Sequence, residues 1–196
     1  MTRRAIFLDK DGTLVRNVPY NVDRDRLELA ADAGAALRAL QALGYCLIVV
    51  SNQSGVARGY FQEQALTAVR RDLEAVLRDE GVTLDGFYYC PHHPDGAVAS
   101  YAVECACRKP RPGLLLRAAR DHDVDVAASW AIGDVLDDVE AGHRAGCRAV
   151  LIDNGSETEW VLSEGRTPDH VASGLVEVAS VMTALADGAA ATESEP

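Results

Sequence analysis

Long apolar runs are missing from this chain. No stretch approaches the 18 or more consecutive apolar residues of a membrane-spanning helix. The opening Met1-Thr2-Arg3-Arg4 leads into only four apolar residues, short of the apolar centre of a signal peptide. A soluble, cytoplasmic protein without a membrane partner is expected. Basic charge is scarce too, with 19 lysines and arginines against 30 aspartates and glutamates, a formal net charge of −11 and a pI near 4.8. Such a field repels phosphates at long range, so it opposes nucleic acid as a partner, and an anionic substrate must be held locally. No internal repeat is visible. At 196 residues, 48% of them hydrophobic, the chain suits one domain with a full core and has no room for a second large one. That domain is expected over 1–187, as a monomer, with a disordered tail at 188–196.

The chain does carry alternating apolar strands and amphipathic helices. Residues 4–9 read as a first strand, followed by a polar stretch, 12–31, that contains Pro19 and Asn21 and cannot be a regular helix. A helix is expected from Asp32, a plausible N-cap, to Leu43, with Gly44 at the C′ position. Tyr45 to Val50 is apolar throughout, as a strand covered on both faces should be. Leu66, Val69, Leu73, Val76 and Leu77 make a helical stripe within 62–80. A short strand at 87–89 follows, then an aperiodic excursion over 90–110. The next helix starts at Pro112 with Leu114, Leu115 and Leu116 inward. A strand at 130–132, a helix over 135–145 and a strand at 149–152 complete the pattern. Such alternation implies an α/β fold, a Rossmann-like three-layer α/β/α arrangement with a parallel sheet.

Three strand ends carry polar chemistry: Asp9-Lys10-Asp11-Gly12-Thr13, Ser51-Asn52-Gln53-Ser54-Gly55 and Gly133-Asp134. In a parallel sheet they share the carboxyl edge, where ligands bind. Asp9 and Asp134, with Asp11 beside them, are candidate oxygen ligands of one Mg²⁺. The plainer reading, that each aspartate caps a turn or helix, suits one such end better than three. Cys90, His92, Cys105 and Cys107 lie within one loop, 90–107, and suffice for a tetrahedral Zn²⁺ site of structural type. Free thiols or a redox pair remain the alternative, and His93 competes with His92 as ligand. Cys46 and Cys147 sit in apolar settings and read as core.

These motifs, with Lys109 in Arg108-Lys109-Pro110, resemble in order and spacing the four motifs of the haloacid dehalogenase (HAD) superfamily of phosphatases. The resemblance spans residues 5–138. It implies an HAD-like fold without a large cap domain, Asp9 as nucleophile forming an aspartyl-phosphate, and Asp11 as acid and base. Ser51 and Lys109 would hold the phosphoryl oxygens, and Asp138 would support the metal. Pro91-His92-His93-Pro94 resembles a zinc loop in which the first histidine is the ligand. Within the superfamily, 52–61, 88–94 and 107–110 look more like heptose bisphosphate 7-phosphatases than the neighbouring histidinol phosphatases. The implied substrate is a small phosphorylated sugar. Asn17, Val18, Pro19 and Tyr20 would lie over it, Asn52, Gln53 and Ser54 would line its pocket, and Arg108 would meet the distal phosphate. Arg58 would instead hold a neighbouring acidic residue. Val135 departs from the lysine common in the heptose enzymes, and Ser51 from the commoner threonine. A non-catalytic, zinc-stabilised scaffold is the rival reading of another class.

Overall fold

The first strand, β1 (Arg4–Leu8), sends Ile6 and Leu8 to one side and Ala5 and Phe7 to the other, all four fully buried. A strand buried on both sides belongs inside a sheet with helices above and below. The computed structural model describes residues 2–192 and places β1 between β2 (Tyr45–Asn52) and β4 (Trp130–Gly133). Beyond them lie β3 (Gly86–Cys90), β5 (Arg148–Ile152) and β6 (His170–Ala172), giving an all-parallel sheet of order β3-β2-β1-β4-β5-β6.

Five helices cover it. The side chains of α1 (Ala33–Ala42), α2 (Ala65–Asp79) and α5 (Leu175–Thr192) pack with Ile6, Leu8, Leu47, Val49, Trp130 and Ile132. Those of α3 (Gly113–Asp121) and α4 (Leu136–Ala145) pack on the other face with Phe7, Ile48, Val50, Ala131 and Leu151. Both cores are mainly aliphatic, with Trp130 and Phe87 in the first and Phe7 in the second, and each fully buried leucine or valine contributes about 1.5–3 kcal/mol relative to exposure. The order reverses at β1, since β2 and β3 extend one way and β4 to β6 the other. The carboxyl ends of β1 and β4 therefore flank the crevice at the switch point of the sheet.

The expected three-layer α/β/α architecture and its five sequence-legible strands are present. Gly44 follows α1 at φ 85°, the left-handed conformation its C′ position requires, and donates to Gln41 O at 2.8 Å. Several local expectations are corrected. Asp32 occupies the N-cap of α1 in a left-handed conformation (φ 54°) and makes no capping hydrogen bond with its side chain. Leu116 is 37% exposed while Leu114 and Leu115 are buried, because three consecutive helical side chains span 200° and cannot all face inward. Val76 is only half-buried, and α2 begins at Ala65 rather than near Gln62. Two elements went unread, β6 and α5. The latter includes 188–192 of the expected disordered tail, where three alanines favour helix; 193–196 lie outside the described residues. No helix among the described residues is long and apolar enough to cross a membrane.

Candidate active site

The end of β1 delivers Asp9 directly, and its backbone N–H donates to Ile132 O of β4 at 2.9 Å. Asp134 follows the last residue of β4, so the two acids meet across the crevice. Asp138, in the first turn of α4, turns back and accepts the Val135 N–H at 3.4 Å. Oxygens of Asp9, Asp134 and Asp138, all buried, lie within 4.8 Å of one another. Gly12 makes this approach possible: its φ is 93°, and a Cβ there would lie 1.9 Å from Asp134 Oδ2.

One ammonium sits among these acids. Lys109 Nζ lies 2.6 Å from Asp9 Oδ1, 2.6 Å from Asp138 Oδ1 and 2.8 Å from Val50 O. Its main chain is clasped by Asn52, whose Oδ1 accepts the Lys109 N–H and whose Nδ2 donates to Lys109 O, both at 3.1 Å. Burial works against the ammonium, yet Asp138 and Asp9 hold its pKa above the usual lysine range. Three buried carboxylates against one cation leave excess negative charge. Burial, and then the charge of Asp9, pushes Asp134 up to about 6. Burial raises Asp138 to about 7 even though Lys109 resists it. An oxygen-only donor set short of positive charge fits a hard divalent cation.

The sequence reading counted Asp11 among the Mg²⁺ ligands, but its carboxylate stands apart from the group. Lys10 donates to its Oδ1, and Gln53 Nε2 donates to its Oδ2 at 2.9 Å. The same Gln53 nitrogen reaches Ser51 Oγ at 2.9 Å. Burial raises the pKa of Asp11, against the pull of Lys10 and with the push of Asp9. The only two lysines of the chain, Lys10 and Lys109, are thus both buried here against aspartates.

Two adjoining cavities of about 270 Å³ each open over these groups. One is walled by Asp9, Ser51, Arg108, Lys109 and Asp134, the other by Val18, Pro19, Tyr20, Gln53 and Ser54; Asp11, Asn17 and Asn52 line both. Every residue expected from sequence to touch phosphate, substrate or Mg²⁺ therefore borders one continuous cleft. The sequence reading missed the arm after β5. Ser156 lines the reaction cavity, Asn154 Nδ2 donates to Gly12 O at 2.6 Å, and Glu157 Oε2 accepts the Leu136 N–H at the start of α4, at 2.7 Å. Asn154 and Ser156 follow a strand end on the same carboxyl edge, so the rule that found Asp9 and Asp134 could have found them.

Cys90, His92, Cys105 and Cys107 close a second cluster. The three sulfurs are 3.1–3.4 Å apart, and His92 Nδ1 lies 3.7 Å from Cys90 Sγ and 3.5 Å from Cys107 Sγ. All are free thiols, far beyond the disulfide length of about 2.05 Å. Burial raises Cys90. Against burial, hydrogen bonding with Cys107 brings Cys105 down to about 7. A soft, compact four-donor set fits a tetrahedral metal. His93 stays outside it, with Nε2 3.1 Å from Arg58 Nη2 and Nδ1 accepting the Asp95 N–H at 3.1 Å. Arg58 meets this histidine rather than an acidic side chain. Cys46 and Cys147 are buried in the core, as expected.

Residues 106–178 match the HAD-hydrolase-like family model. The D-glycero-β-D-manno-heptose-1,7-bisphosphate 7-phosphatase of Haemophilus ducreyi is 40% identical over 181 residues, 91% of this chain and 97% of the relative. The protein of that name from Escherichia coli K12 is 41% identical, covering 81% of this chain and 88% of the relative. The chain belongs to this phosphatase family. The crystal structure of the D,D-heptose 1,7-bisphosphate phosphatase of B. bronchiseptica, complexed with magnesium and phosphate, superposes on it with a TM-score of 0.74 at 31% identity, over 92% of this chain and 98% of that one. Within the HAD-like phosphatase fold, the aspartates at the ends of β1 and β4 occupy the switch-point crevice of the sheet.

Proposed function

We propose that this phosphatase removes the 7-phosphate of D-glycero-D-manno-heptose 1,7-bisphosphate with Mg²⁺, through an aspartyl-phosphate on Asp9. The gathering of Asp9, Asp134 and Asp138 around Lys109 at the end of β1 carries the chemistry. The choice of sugar rests on the named relatives at about 40% identity.

Asp9 Oδ1 is taken by Lys109, which leaves Oδ2 to attack phosphorus in line. The ester oxygen departs with a proton from Asp11, whose pKa burial raises above the ordinary carboxylate value, the direction acid work needs. A water then gives a proton back to Asp11 and attacks the phosphorus, which frees Asp9 and inorganic phosphate. Ser51 Oγ–H and Lys109 Nζ hold the transferring oxygens, and Gln53 ties Ser51 to Asp11 so that both keep their places. Asp9 and Asp134, with Asp138 beside them, would hold Mg²⁺, which would supply charge neutralisation for the reacting phosphoryl group. Arg108 borders the cleft where a second phosphate would extend, and no carboxylate among the described residues pairs with it. We assign zinc to the cluster of Cys90, His92, Cys105 and Cys107, whose side chains would hold it and so would fix the loop that carries Arg108 and Lys109 into the cleft. The acidic balance of the chain favours a small anion held at this site over nucleic acid.

Phosphorus NMR of the reaction tests the proposal. With heptose 1,7-bisphosphate, the 7-phosphate resonance should disappear while the anomeric phosphate persists, and histidinol phosphate in parallel should be turned over far more slowly. Loss of the anomeric phosphate, or faster hydrolysis of histidinol phosphate, contradicts it.

A further inference from the structure

The helix that carries Asp138 does not cap itself. Val135 holds the N-cap position of α4 with an apolar side chain that accepts no hydrogen bond, so the Leu136 N–H, the first of the helix, has no side-chain acceptor on its own element. Glu157 supplies one from 21 positions further along, its Oε2 accepting that N–H at 2.7 Å. Just before it, Asn154 Nδ2 donates to Gly12 O at 2.6 Å while its Oδ1 accepts the Ser156 N–H at 3.0 Å, which fixes the turn between the two. The far end of the same segment is tied to α4 as well. Arg166 Nη1 lies 3.0 Å from Asp137 Oδ1 and 2.8 Å from Glu140 Oε2, and His143 Nδ1 meets Gly165 O at 3.0 Å. Residues 153–167 are therefore a strap that rides on α4, and Asn154 joins it to the turn after β1.

The strap spans the two halves of the acid group. Asp9 opens the turn after β1, and Gly12, whose carbonyl Asn154 holds, leaves no room for a Cβ beside the Asp134 carboxylate. Asp134 and Asp138 flank the helix start that Glu157 caps. Asn154 is exposed and Glu157 half-buried, and polar contacts at such positions add little to the stability of a fold. Both nevertheless end on backbone groups next to metal-facing carboxylates. We propose that Asn154 and Glu157 are positioning residues that hold the spacing between Asp9 and Asp134, and so set the affinity of the acid group for its divalent cation. This role rests on the metal reading above and goes beyond it, because neither side chain lines the reaction cavity. Mg²⁺ demands near-ideal octahedral geometry, so loosening one half of the site against the other lowers affinity before it unfolds anything.

The test titrates the full chain with MgCl₂ alone by calorimetry, and measures kcat and KM for 4-nitrophenyl phosphate at limiting magnesium, in wild type, Asn154→Ala, Glu157→Ala and Glu157→Gln. One hydrogen bond of this kind corresponds to about a fivefold change in an equilibrium. Each alanine variant should weaken Mg²⁺ binding by about that factor and lower kcat, with KM unchanged and Tm within about 2 °C of wild type. Glu157→Gln keeps an acceptor for the Leu136 N–H and should match wild type. Unchanged magnesium affinity in either alanine variant, or a glutamine variant that loses as much as alanine, overturns the strap, as does a Tm that falls while affinity and kcat hold. If wild type takes up no Mg²⁺, the metal reading falls. The strap is then judged by kcat alone, where equal values in wild type and the alanine variants overturn it and a loss rescued by Glu157→Gln supports it.

Discussion

Replacing Lys109 by methionine keeps most of its volume and removes its charge from the contacts with Asp9 and Asp138. The side chain is 3% exposed, so water cannot take the place of the ammonium. Removing one partner of a buried pair typically costs about 3–5 kcal/mol, because the remaining charge stays desolvated. At roughly 2–4 °C per kcal/mol for a protein of this size, Tm should fall by about 6–20 °C at pH 8. The loss should depend on pH in a defined direction. Asp138 already titrates near 7, raised from the ordinary carboxylate range chiefly by burial. A carboxyl whose folded pKa is raised favours the folded state when protonated, and that contribution is lost as pH rises through the folded value. Without Lys109 the Asp138 pKa rises further, so at pH 5 the acid is neutral and the deficit against wild type should be small, widening towards pH 8. Thermal unfolding across pH 5–8 without added magnesium reads this directly. A strong chelator must be avoided, since it would also strip the zinc we assign to the thiol cluster. A variant as stable as wild type at pH 8, or a gap that narrows as pH rises, refutes the electrostatic account of the site.

Wild type should hold one zinc per chain by elemental analysis, and Cys105→Ser should lose it and activity together, because the loop that carries Lys109 is then unpinned; zinc-free wild type would refute this. Gly12→Ala should lower kcat on the order of 10²-fold, since a Cβ 1.9 Å from Asp134 Oδ2 displaces a metal-facing carboxylate; steady-state kinetics at saturating magnesium would check it. Leu115→Ala should cost about 2–5 kcal/mol in urea unfolding. Leu116→Gln, one position along and exposed, should stay within about 0.5 kcal/mol of wild type.

Much of the site was legible because its chemistry sits at strand ends. Asp9, Ser51 and Asp134 each follow an apolar run of four or more residues or a clear short strand, and parallel pairing brings such ends to one edge whatever their separation in sequence. The cluster of Cys90, Cys105 and Cys107 with a histidine was legible from donor type and spacing, while the choice of His92 over His93 came from the family resemblance. The direction of a side chain at a strand end was not legible. Asp9 and Asp11, two residues apart, were both counted with the metal, yet the Asp11 carboxylate meets Lys10 and Gln53. Asp138 looked like a supporting residue, and only tertiary contact puts its oxygen on Lys109. The edge strand His170–Ala172 is too short to carry a periodic signal, whereas Leu175, Val178 and Met182 recur at helical spacing, so α5 was readable and the loop before it hid the connection. The double hydrogen bond from Asn52 to the Lys109 main chain spans 57 positions and has no local signature at all.

Asp9→Asn tests the central claim most directly, because it keeps the shape of the side chain and removes the attacking oxygen. Purified variant and wild type, matched for Tm and zinc content, should be compared for phosphate release from heptose 1,7-bisphosphate at saturating magnesium. The account requires wild-type turnover and no release above background from the variant; a folded variant that releases phosphate at the wild-type rate contradicts it.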